Sequence, residues 1–401
     1  MNYILSKEKH FRENKRGLKL CFISSFPPSR GRLAEYAYNL TNELQKLSEI
    51  RQIDIVTDVD ATNRGEVIKV GKKIKVHPAW TLRNPLSLLF IPSKVLMLNP
   101  DVVHFNLHMA VFGRARLTNF FGLSLPFLCH LLGFKTLVTL HNVVDRVDIQ
   151  KTGFQDTFLN RFGTLITTKL LTFSSYINVT MKSYVKLLRE KYKCKRSIWI
   201  PHGTWNINPE KKNVHNPQNI LFFGTLGPYK DLDLLFQAFE ILNKRKSAIK
   251  LIVAGDSHPD YPNFLNMYKT KNEKTNVQFT GYVLEEEFLR FFKNIDLVVL
   301  PYHTCTGTSG VAHLASSYGI PIIATDLPEF RELIGEGCEM VLSQHNAIEL
   351  AEKIEYVLDK PDLMQKLRKQ NIDFARKRTW EKIAVSFYKL YQQIAHNSAP
   401  N

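Results

Sequence analysis

The sequence has few of the features that mark secreted domains, metal centres or phosphate-binding loops. Its five cysteines are odd in number and scattered, without Cys-x-x-Cys or Cys/His spacing. This argues against a disulfide framework and a structural zinc site, and it fits a reducing compartment. Histidines 104, 108, 202, 303 and 313 show no metal-ligand spacing. There is no Walker lysine loop, no Gly-x-Ser-x-Gly and no full Gly-x-Gly-x-x-Gly, so the commonest P-loop and serine-hydrolase motifs are excluded.

Glycine and proline are also scarce, with 19 and 18 among 401 residues, while 44% of the residues are hydrophobic. These values indicate a globular chain, long enough for two domains. The N-terminus lacks the apolar core of a signal peptide. The most apolar stretch, Leu117–Phe134, is interrupted by Asn119, Pro126 and His130 and is too short for a membrane span, so it predicts a buried or interfacial helix.

Acidic residues are under-represented in the first half of the chain. Residues 1–205 contain 31 Lys and Arg and 14 Asp and Glu, whereas residues 206–401 contain 23 of each, so the first half carries the whole net charge of +17. This asymmetry points to an acidic partner, either anionic lipid, a phosphorylated acceptor or nucleic acid. A solvated surface without a specific partner is the alternative reading.

In each half of the chain, apolar runs typical of buried strands alternate with segments of helical periodicity. The pattern predicts an α/β fold with two doubly wound, Rossmann-like domains. Residues 1–205 form the basic N-terminal domain and 219–377 the C-terminal domain. The polar, proline-containing segment 206–218 is the linker, and 378–401 is a closing helix. Phe158–Tyr192 is predicted as one helical segment by its pattern.

The most informative stretch is Thr304–Asp326. It follows an apolar strand, Ile295–Pro301, and begins with a small, hydroxylated loop that ends in Thr308, Ser309 and Gly310. A helix opens near Gly310 and is followed by another buried strand. A strand, a loop and a helix N-terminus in this order present backbone N–H groups and a partial positive charge, which suit phosphate. An ordinary βαβ turn would need the same residue types, so the pattern alone leaves both readings open.

The first half repeats this arrangement with two arginines. A strand at Leu18–Ser24 leads through a Pro- and Gly-containing loop to Gly31 and Arg32, before a helix. A later strand, Thr136–Leu140, ends in His141. Open α/β sheets place their ligand groups at such strand ends, although a structural role for His141 is equally consistent with the pattern.

Seven landmarks in order resemble the retaining glycosyltransferase family 4, whose members have the GT-B fold of two Rossmann-like domains facing a cleft. The resemblance spans residue 20 to the end of the chain. Each landmark alone is weak evidence for the family, but seven in the right order are strong evidence. They are Phe26-Pro27-Pro28 to Gly31 before Ala34-Glu35-Tyr36, Leu140-His141, Ile200-Pro201-His202-Gly203, Phe223-Gly224 to Lys230, Tyr282-Val283 to Asp296, Gly319 to Asp326, and Thr379-Trp380 with the last helix.

The resemblance implies a role for each matching residue. Lys230 matches the lysine that neutralises the donor diphosphate, and Gly31 the loop glycine beside it. The loop whose amides meet phosphate and sugar is matched by Thr308, Ser309, Gly310 and Val311. Tyr282 and Val283 lie where the nucleobase packs, and His141 where a histidine contacts the reacting sugar. In the family the last helix crosses back to the N-terminal domain, which 378–401 would suit.

The sequence departs from the family at four positions. Thr306 and Leu314 occupy the places of two glutamates that normally lie near the donor sugar and the ribose. Thr225 replaces a phosphate-binding arginine, and Arg32 replaces a second loop glycine. We hypothesise that Arg32 and Lys230 clamp the diphosphate from opposite domains. The Asp231-Leu232-Asp233 triplet spells the DxD of metal-dependent transferases, but its place at a helix start is explained by capping.

These observations predict a metal-independent retaining glycosyltransferase of the hexosyltransferase type. It needs no cofactor and moves a sugar from a nucleotide sugar to a glycan or lipid-linked acceptor. The basic residues 1–205 suit an anionic membrane surface, with Pro85–Leu98 and Leu117–Phe134 as contacts. This placement predicts a cytoplasmic protein, peripheral at the inner face of the cell membrane, and no nucleic acid is expected as a partner. The alternatives are a catalytically impaired sugar-nucleotide-binding protein, another GT-B enzyme such as an epimerase or a phosphorylase, and a nucleic-acid-binding α/β protein.

Overall fold

The structure is a computed structural model that describes residues 17–29, 31–59, 67–81, 84–109, 111–113, 115–143, 157–208, 218–258, 261–271, 276–284 and 287–396. For Arg32 and Leu289 it describes the backbone alone. Two compact units divide these residues: unit 1 comprises 17–143, 157–201 and 380–396, and unit 2 comprises 202–379. Of the linker predicted for 206–218, residues 209–217 lie outside the described part.

Unit 1 is built on an eight-stranded sheet in the order β3-β4-β2-β1-β5-β6-β7-β8. All neighbouring strands are parallel except β3, which runs antiparallel to β4. The central strands β5 and β6 are buried along their whole length because helices cover both faces of such a sheet. The strands are β1 (Leu18–Ile23), β2 (Ile50–Asp58), β3 (Ile68–Val70), β4 (Ile74–Trp80), β5 (Val102–Leu107), β6 (Thr136–Leu140), β7 (Tyr176–Val179) and β8 (Ser197–Trp199).

Five helices and a 3₁₀ turn connect these strands. They are α1 (Arg32–Leu44), the turn Pro85–Leu89, α2 (Phe90–Leu98), α3 (Arg116–Leu131), α4 (Phe158–Leu171) and α5 (Lys182–Tyr192). The single helical segment predicted for 158–192 is wrong, because the buried strand β7 separates α4 from α5. Four residues of strand are too few to show a period of two, so the helical periodicity on both sides masked it.

Unit 2 is built on a six-stranded parallel sheet in the order β11-β10-β9-β12-β13-β14. Its strands are β9 (Asn219–Phe223), β10 (Lys250–Ala254), β11 (Val277–Gly281), β12 (Leu297–Leu300), β13 (Ile322–Thr325) and β14 (Val341–Ser343). Its helices are the 3₁₀ turn Pro228–Lys230, α6 (Leu232–Arg245), α7 (Phe264–Lys271), α8 (Phe288–Lys293), α9 (Gly310–Ser317), α10 (Pro328–Gly335), α11 (Ala347–Leu358) and α12 (Pro361–Arg376).

The last helix, α13 (Trp380–His396), belongs to unit 1. Its buried stripe includes Trp380, Phe387 and Tyr391. The indole of Trp380 meets the ring of Tyr36 edge-on at 5.0 Å. At the other end of α13, the Lys135 ammonium donates to the carbonyl of Ala395 at 2.7 Å, where a cation complements the helix dipole.

The described helices include none that is both long enough and apolar enough to span a bilayer. The five cysteines are free thiols, and all are buried.

Candidate functional site

The strand order of unit 2 reverses between β9 and β12. From β9 the chain runs outward through β10 to β11, and from β12 it runs the other way through β13 to β14. Ligands of doubly wound sheets bind beyond the carboxyl ends of the strands at such a switch point. The segment around Gly224 follows β9, and the loop 301–309 follows β12. The two segments that the sequence singled out therefore flank one switch point.

Lys230 ends the 3₁₀ turn after β9, and its side chain is fully buried, with 0% exposed. The Nζ atom donates to the carbonyl of Phe223 at 3.3 Å. It also lies 5.8 Å from the ring centroid of Phe222 and 5.4 Å from that of Tyr302, within cation–π range. Lysine is among the residues least often fully buried, so Lys230 cannot be explained as an ordinary surface lysine.

Gly224 makes room for this ammonium. Its φ of 117° suits glycine, and a Cβ atom at this position would lie only 2.6 Å from Lys230 Nζ. The same point lies 3.4 Å from Cγ2 of Val311, in the first turn of α9. The lysine and the start of α9 therefore converge on Gly224.

The start of α9 is organised by hydroxyl groups. Ser309 is the N-cap, and its Oγ accepts from the Ala312 amide at 3.3 Å. The amides of Gly310 and Val311 come first in the helix, where N–H groups have no intrahelical acceptor. The Thr308 hydroxyl shares a 2.8 Å hydrogen bond with Nε2 of His313. Thr308, Ser309 and Val311 are buried, so the loop is held in place from within.

His313 anchors this loop as a neutral imidazole. Its ring stacks on His202, with centroids 4.8 Å apart and planes at 3°. Burial lowers the pKa of His313 well below its usual value, and the nearby His202 and Arg378 lower it further. A neutral ring can keep its bond to Thr308 across the physiological pH range.

The other donor-site residues predicted in unit 2 lie along the same edge. Thr225 follows Gly224, and its carbonyl accepts from the Tyr229 hydroxyl at 3.3 Å. Gly255, at the end of β10, donates through its amide to the carbonyl of Gly281 at 2.8 Å. Tyr282 and Val283 follow Gly281 at the end of β11. Val283 is buried, whereas Tyr282 keeps 38% of its surface exposed.

In unit 1 the strand order reverses between β1 and β5, and Gly31 and Arg32 lie after β1. Gly31 is the N-cap of α1, with a φ of 141°. Arg32 is the first residue of α1, so its backbone belongs to the helix start. The predicted clamp depends on its side chain, which lies outside the described part, and therefore stays a prediction.

His141 follows β6 at the same edge of unit 1. Its Nε2 donates to Oδ1 of Asn106 at 2.7 Å, and its ring meets Tyr36 edge-on at 4.6 Å. The Asn106 amide is oriented by donating to Ser24 Oγ at 3.0 Å and to the Leu33 carbonyl at 3.3 Å. Asn106 thereby fixes which nitrogen of His141 carries a proton. The sequence analysis missed Asn106, whose only local signal is an amide within the buried strand β5.

The two positions that lack the family's glutamates lie around α9. Leu314 is buried within the helix, and Thr306 lies in the preceding loop, partly exposed. No carboxylate takes their place at 306 and 314. The acidic residue nearest to Lys230 in sequence is Asp231, which caps α6 by accepting from the Leu234 amide at 3.0 Å. Capping therefore accounts for the first aspartate of the Asp231-Leu232-Asp233 triplet.

Two doubly wound units, each with a helix start after the first strand of its switch point, are the arrangement of the GT-B fold. Solved structures match this fold over nearly the whole chain. The sucrose-phosphate synthase of Thermosynechococcus elongatus superposes with a TM-score of 0.75 and 18% identity, covering 94% of this chain and 99% of that one. Anabaena HepE, in complex with UDP and glucose, superposes with a TM-score of 0.69 and 14% identity over 94% and 99%.

Sequence comparisons find glycosyltransferases similar to parts of this chain. Residues 204–378 match the model of "Glycosyl transferases group 1". An uncharacterized glycosyltransferase of Methanocaldococcus jannaschii is 24% identical over 68% of this chain and 70% of its own length. The GDP-mannose:cellobiosyl-diphosphopolyprenol alpha-mannosyltransferase of Komagataeibacter xylinus is 23% identical over 59% and 64%. Residues 204–378 are therefore similar to the group 1 glycosyl transferases, in agreement with the resemblance to the retaining family 4 in the sequence, and the predicted GT-B fold is confirmed.

Proposed function

We propose that this protein transfers a hexose from a nucleoside diphosphate sugar to a lipid-linked glycan, with retention and without a metal ion. The observation that carries the proposal is the convergence of Lys230 Nζ and the start of α9 on Gly224, at the switch point of unit 2. UDP with glucose, and GDP-mannose, are named for two similar proteins. Both molecules contain a diphosphate, so either would place the same negative charge next to Lys230 and the start of α9.

The chemistry of sugar transfer explains why a buried ammonium is useful here. Breaking the bond between the sugar and the diphosphate leaves negative charge on the departing group. Lys230 and the first amides of α9 would stabilise that charge in the transition state more than in the bound donor. Because both are fixed before the reaction, little reorganisation is needed, and no metal has to neutralise the phosphates.

Retention at the sugar carbon then requires the acceptor to attack from the side of the leaving group. The resemblance to the family implies that the diphosphate itself accepts the acceptor's proton. His141, oriented by Asn106, is proposed to contact the reacting sugar. Arg32 is proposed to supply a second cation, in compensation for Thr225, which lacks the positive charge of the family's arginine.

The proposal for the acceptor rests on the side chains exposed at the surface of unit 1. Large apolar side chains are exposed on four consecutive elements, the turn Pro85–Leu89, α2, α3 and α4. They are Leu86, Leu89, Phe90, Leu96, Met97, Leu117, Phe121, Leu128, Leu131, Phe158, Leu159, Phe162 and Leu165, which we call the apolar surface. Helix α3 packs against both α2 and α4, so the four elements are contiguous. An exposed apolar patch of this extent marks an interaction site.

The charge around the apolar surface favours a membrane over a protein partner. The turn and the three helices that carry the apolar surface contain four Lys and Arg, namely Lys94, Arg116, Arg161 and Lys169, and no Asp or Glu. Apolar side chains beside basic ones suit the boundary between anionic headgroups and acyl chains. A membrane-embedded lipid carrier would then present its glycan at the surface where the enzyme is bound. The polyprenol-linked acceptor named for the Komagataeibacter relative is of this kind.

A donor screen tests the central claim. We expect one nucleoside diphosphate sugar among UDP-, GDP- and ADP-sugars to raise the melting temperature, by roughly 5–10 °C at about 100 times its Kd. Lys230→Met should abolish this shift and lower kcat about 10²- to 10³-fold. The exposed Lys244→Met is the matched control and should leave both unchanged. A full shift with Lys230→Met would contradict the assignment.

The absence of glutamates at 306 and 314 favours one alternative, a protein that binds the sugar nucleotide but transfers nothing. Donor hydrolysis separates the two readings, because a competent transferase slowly hydrolyses its donor when no acceptor is present. A donor-dependent thermal shift without any hydrolysis or transfer would favour the binding protein.

A further inference from the structure

Two histidines that have no part in the proposed transfer, His303 and His345, meet the capping residue Asp231 in unit 2, although the three residues are distant in sequence. Oδ2 of Asp231 lies 3.0 Å from Nε2 of His303 and 2.6 Å from Nε2 of His345. The two imidazole rings stack with centroids 4.4 Å apart and planes at 27°. One ligand atom from each residue lies within 4.8 Å of the other two.

The fold fixes each of these side chains from a different segment. Asp231 is held at the start of α6, where its other oxygen, Oδ1, accepts from the Leu234 amide at 3.0 Å. The backbone amide of His303 donates to the carbonyl of Tyr229 at 3.0 Å, two residues before Asp231. His345 lies between β14 and Asn346, the N-cap of α11. The cluster therefore joins three loops at the carboxyl ends of β9, β12 and β14.

We propose that Asp231, His303 and His345 form a binding site for Zn²⁺. Two imidazole nitrogens and one carboxylate oxygen are a ligand set that zinc accepts, with water completing the coordination. Without metal, both Nε2 atoms would direct a proton at the same carboxylate oxygen. A zinc ion would replace those two protons with bonds from the nitrogen lone pairs.

The solvent exposure of the three side chains is also compatible with metal binding. The carboxylate is nearly buried, with 9% of its side chain exposed, whereas the His303 and His345 side chains are 39% and 42% exposed. The aspartate is therefore the fixed ligand. The two partly exposed rings can adjust to the nitrogen–zinc distance of about 2.0–2.1 Å and admit a water molecule.

The position of the site indicates a structural role. Asp231 directly follows Lys230, so zinc bound there would tie the turn that carries Lys230 to the loops after β12 and β14. Anything that binds only the folded state raises its stability. The bound ion would not take part in sugar transfer, and the inference does not depend on the proposed function.

Zinc binding to the full chain without an affinity tag tests the proposal directly. After dialysis against a chelator, we expect one Zn²⁺ per chain by calorimetry, with a Kd in the micromolar range or tighter. We expect His303→Gln and His345→Gln each to weaken binding about tenfold or more. His396→Gln, the same change at an exposed histidine of α13, should bind like the wild type.

Thermal unfolding provides a second measurement. Zinc should raise the melting temperature of the wild type and of His396→Gln by the same amount, and that of His345→Gln by less. In the presence of chelator all three should unfold at similar temperatures, which shows that the variant is folded. Absence of zinc binding by the wild type would overturn the site. So would unchanged affinity in either the His303 or the His345 variant, since zinc would then bind elsewhere.

Discussion

At the scale of single residues, Gly224 determines whether Lys230 can keep its buried position. A methyl group at 224 would lie 2.6 Å from the Lys230 ammonium, and the φ of 117° disfavours any side chain. We expect Gly224→Ala to weaken donor binding more than tenfold and to lower the free energy of unfolding by about 1–3 kcal/mol. The donor-induced thermal shift and the KM for donor measure the first effect, and chemical unfolding measures the second.

Gly133→Ala separates the two effects. Gly133 also has a positive φ, 87°, but nothing lies within 4 Å of its Cβ position. This variant should lose stability through backbone strain alone and keep the wild-type KM for donor. Equal KM values for Gly224→Ala and the wild type would show that Lys230 is not the group that holds the donor.

Asn106 acts on the proposed chemistry through His141. Asn106→Ala removes the acceptor of His141 Nε2 and leaves Ser24 and the Leu33 carbonyl without their amide donor. We expect kcat to decrease about tenfold while the KM for donor changes little, with a stability loss of about 1–3 kcal/mol. In a His141→Ala background the same change should have almost no further effect on kcat. Additive losses would show that Asn106 acts independently of His141.

The residues of the site differ in how readily they can be predicted from the sequence. Lys230 was predicted from the resemblance to the family, and the loop around Ser309 from glycine and hydroxyl groups that precede an apolar helix. Their roles in donor binding stay predictions. Asn106 could not be predicted, since its contact with His141 depends on the parallel register of β5 and β6. His303 and His345 meet only through the order of β12, β13 and β14, which no local spacing encodes.

At the scale of elements, the junction of β5 with α13 makes unit 1 sensitive to acid. His104 of β5 shares hydrogen bonds with the Tyr391 hydroxyl at 2.6 Å and the Thr139 hydroxyl at 2.7 Å. Burial lowers the pKa of His104 to about 3. The imidazole is therefore neutral in the folded state, whereas it takes up a proton near pH 6.5 when unfolded.

The sign of the pH effect follows from these two pKa values. Below about pH 6.5 the unfolded chain binds one more proton at this position than the folded chain, so the free energy of unfolding decreases as the pH is lowered. We expect His104 to contribute a slope of about 1.4 kcal/mol per pH unit, ending near pH 3. Chemical unfolding of the wild type and His104→Gln between about pH 7 and pH 4.5 measures it. The variant should show a shallower slope.

The elements were predictable where they were long. Helices with clear caps and buried central strands follow from periodicity, but β7 was hidden between α4 and α5. Strands of three residues, such as β3 and β14, carry too little pattern to be recognised. Their places in the sheets are set by packing against neighbouring strands, which is a tertiary property.

At the scale of the whole molecule, the two units differ in net charge and in exposed apolar surface. The excess positive charge belongs to residues 1–205, and residues 206–401 are neutral overall. The apolar surface lies in the basic unit 1. In unit 2 a few large apolar side chains are also exposed, among them Met267 and Ile348. These offer a comparison, because exposed apolar side chains can be replaced by serine in either unit.

Vesicle flotation tests whether unit 1 binds membranes. We expect the protein to float with vesicles that contain anionic lipid at low salt, and to dissociate as salt screens the lysines and arginines. Phe158 and Leu117 are 83% and 73% exposed, and each would contribute roughly 1–2 kcal/mol when inserted. The double variant Leu117→Ser, Phe158→Ser should therefore bind about tenfold or more weakly, while Met267→Ser, Ile348→Ser should bind like the wild type. Equal losses in both double variants would show that the apolar surface has no special part in binding, and no flotation of the wild type would remove the membrane from the proposed function.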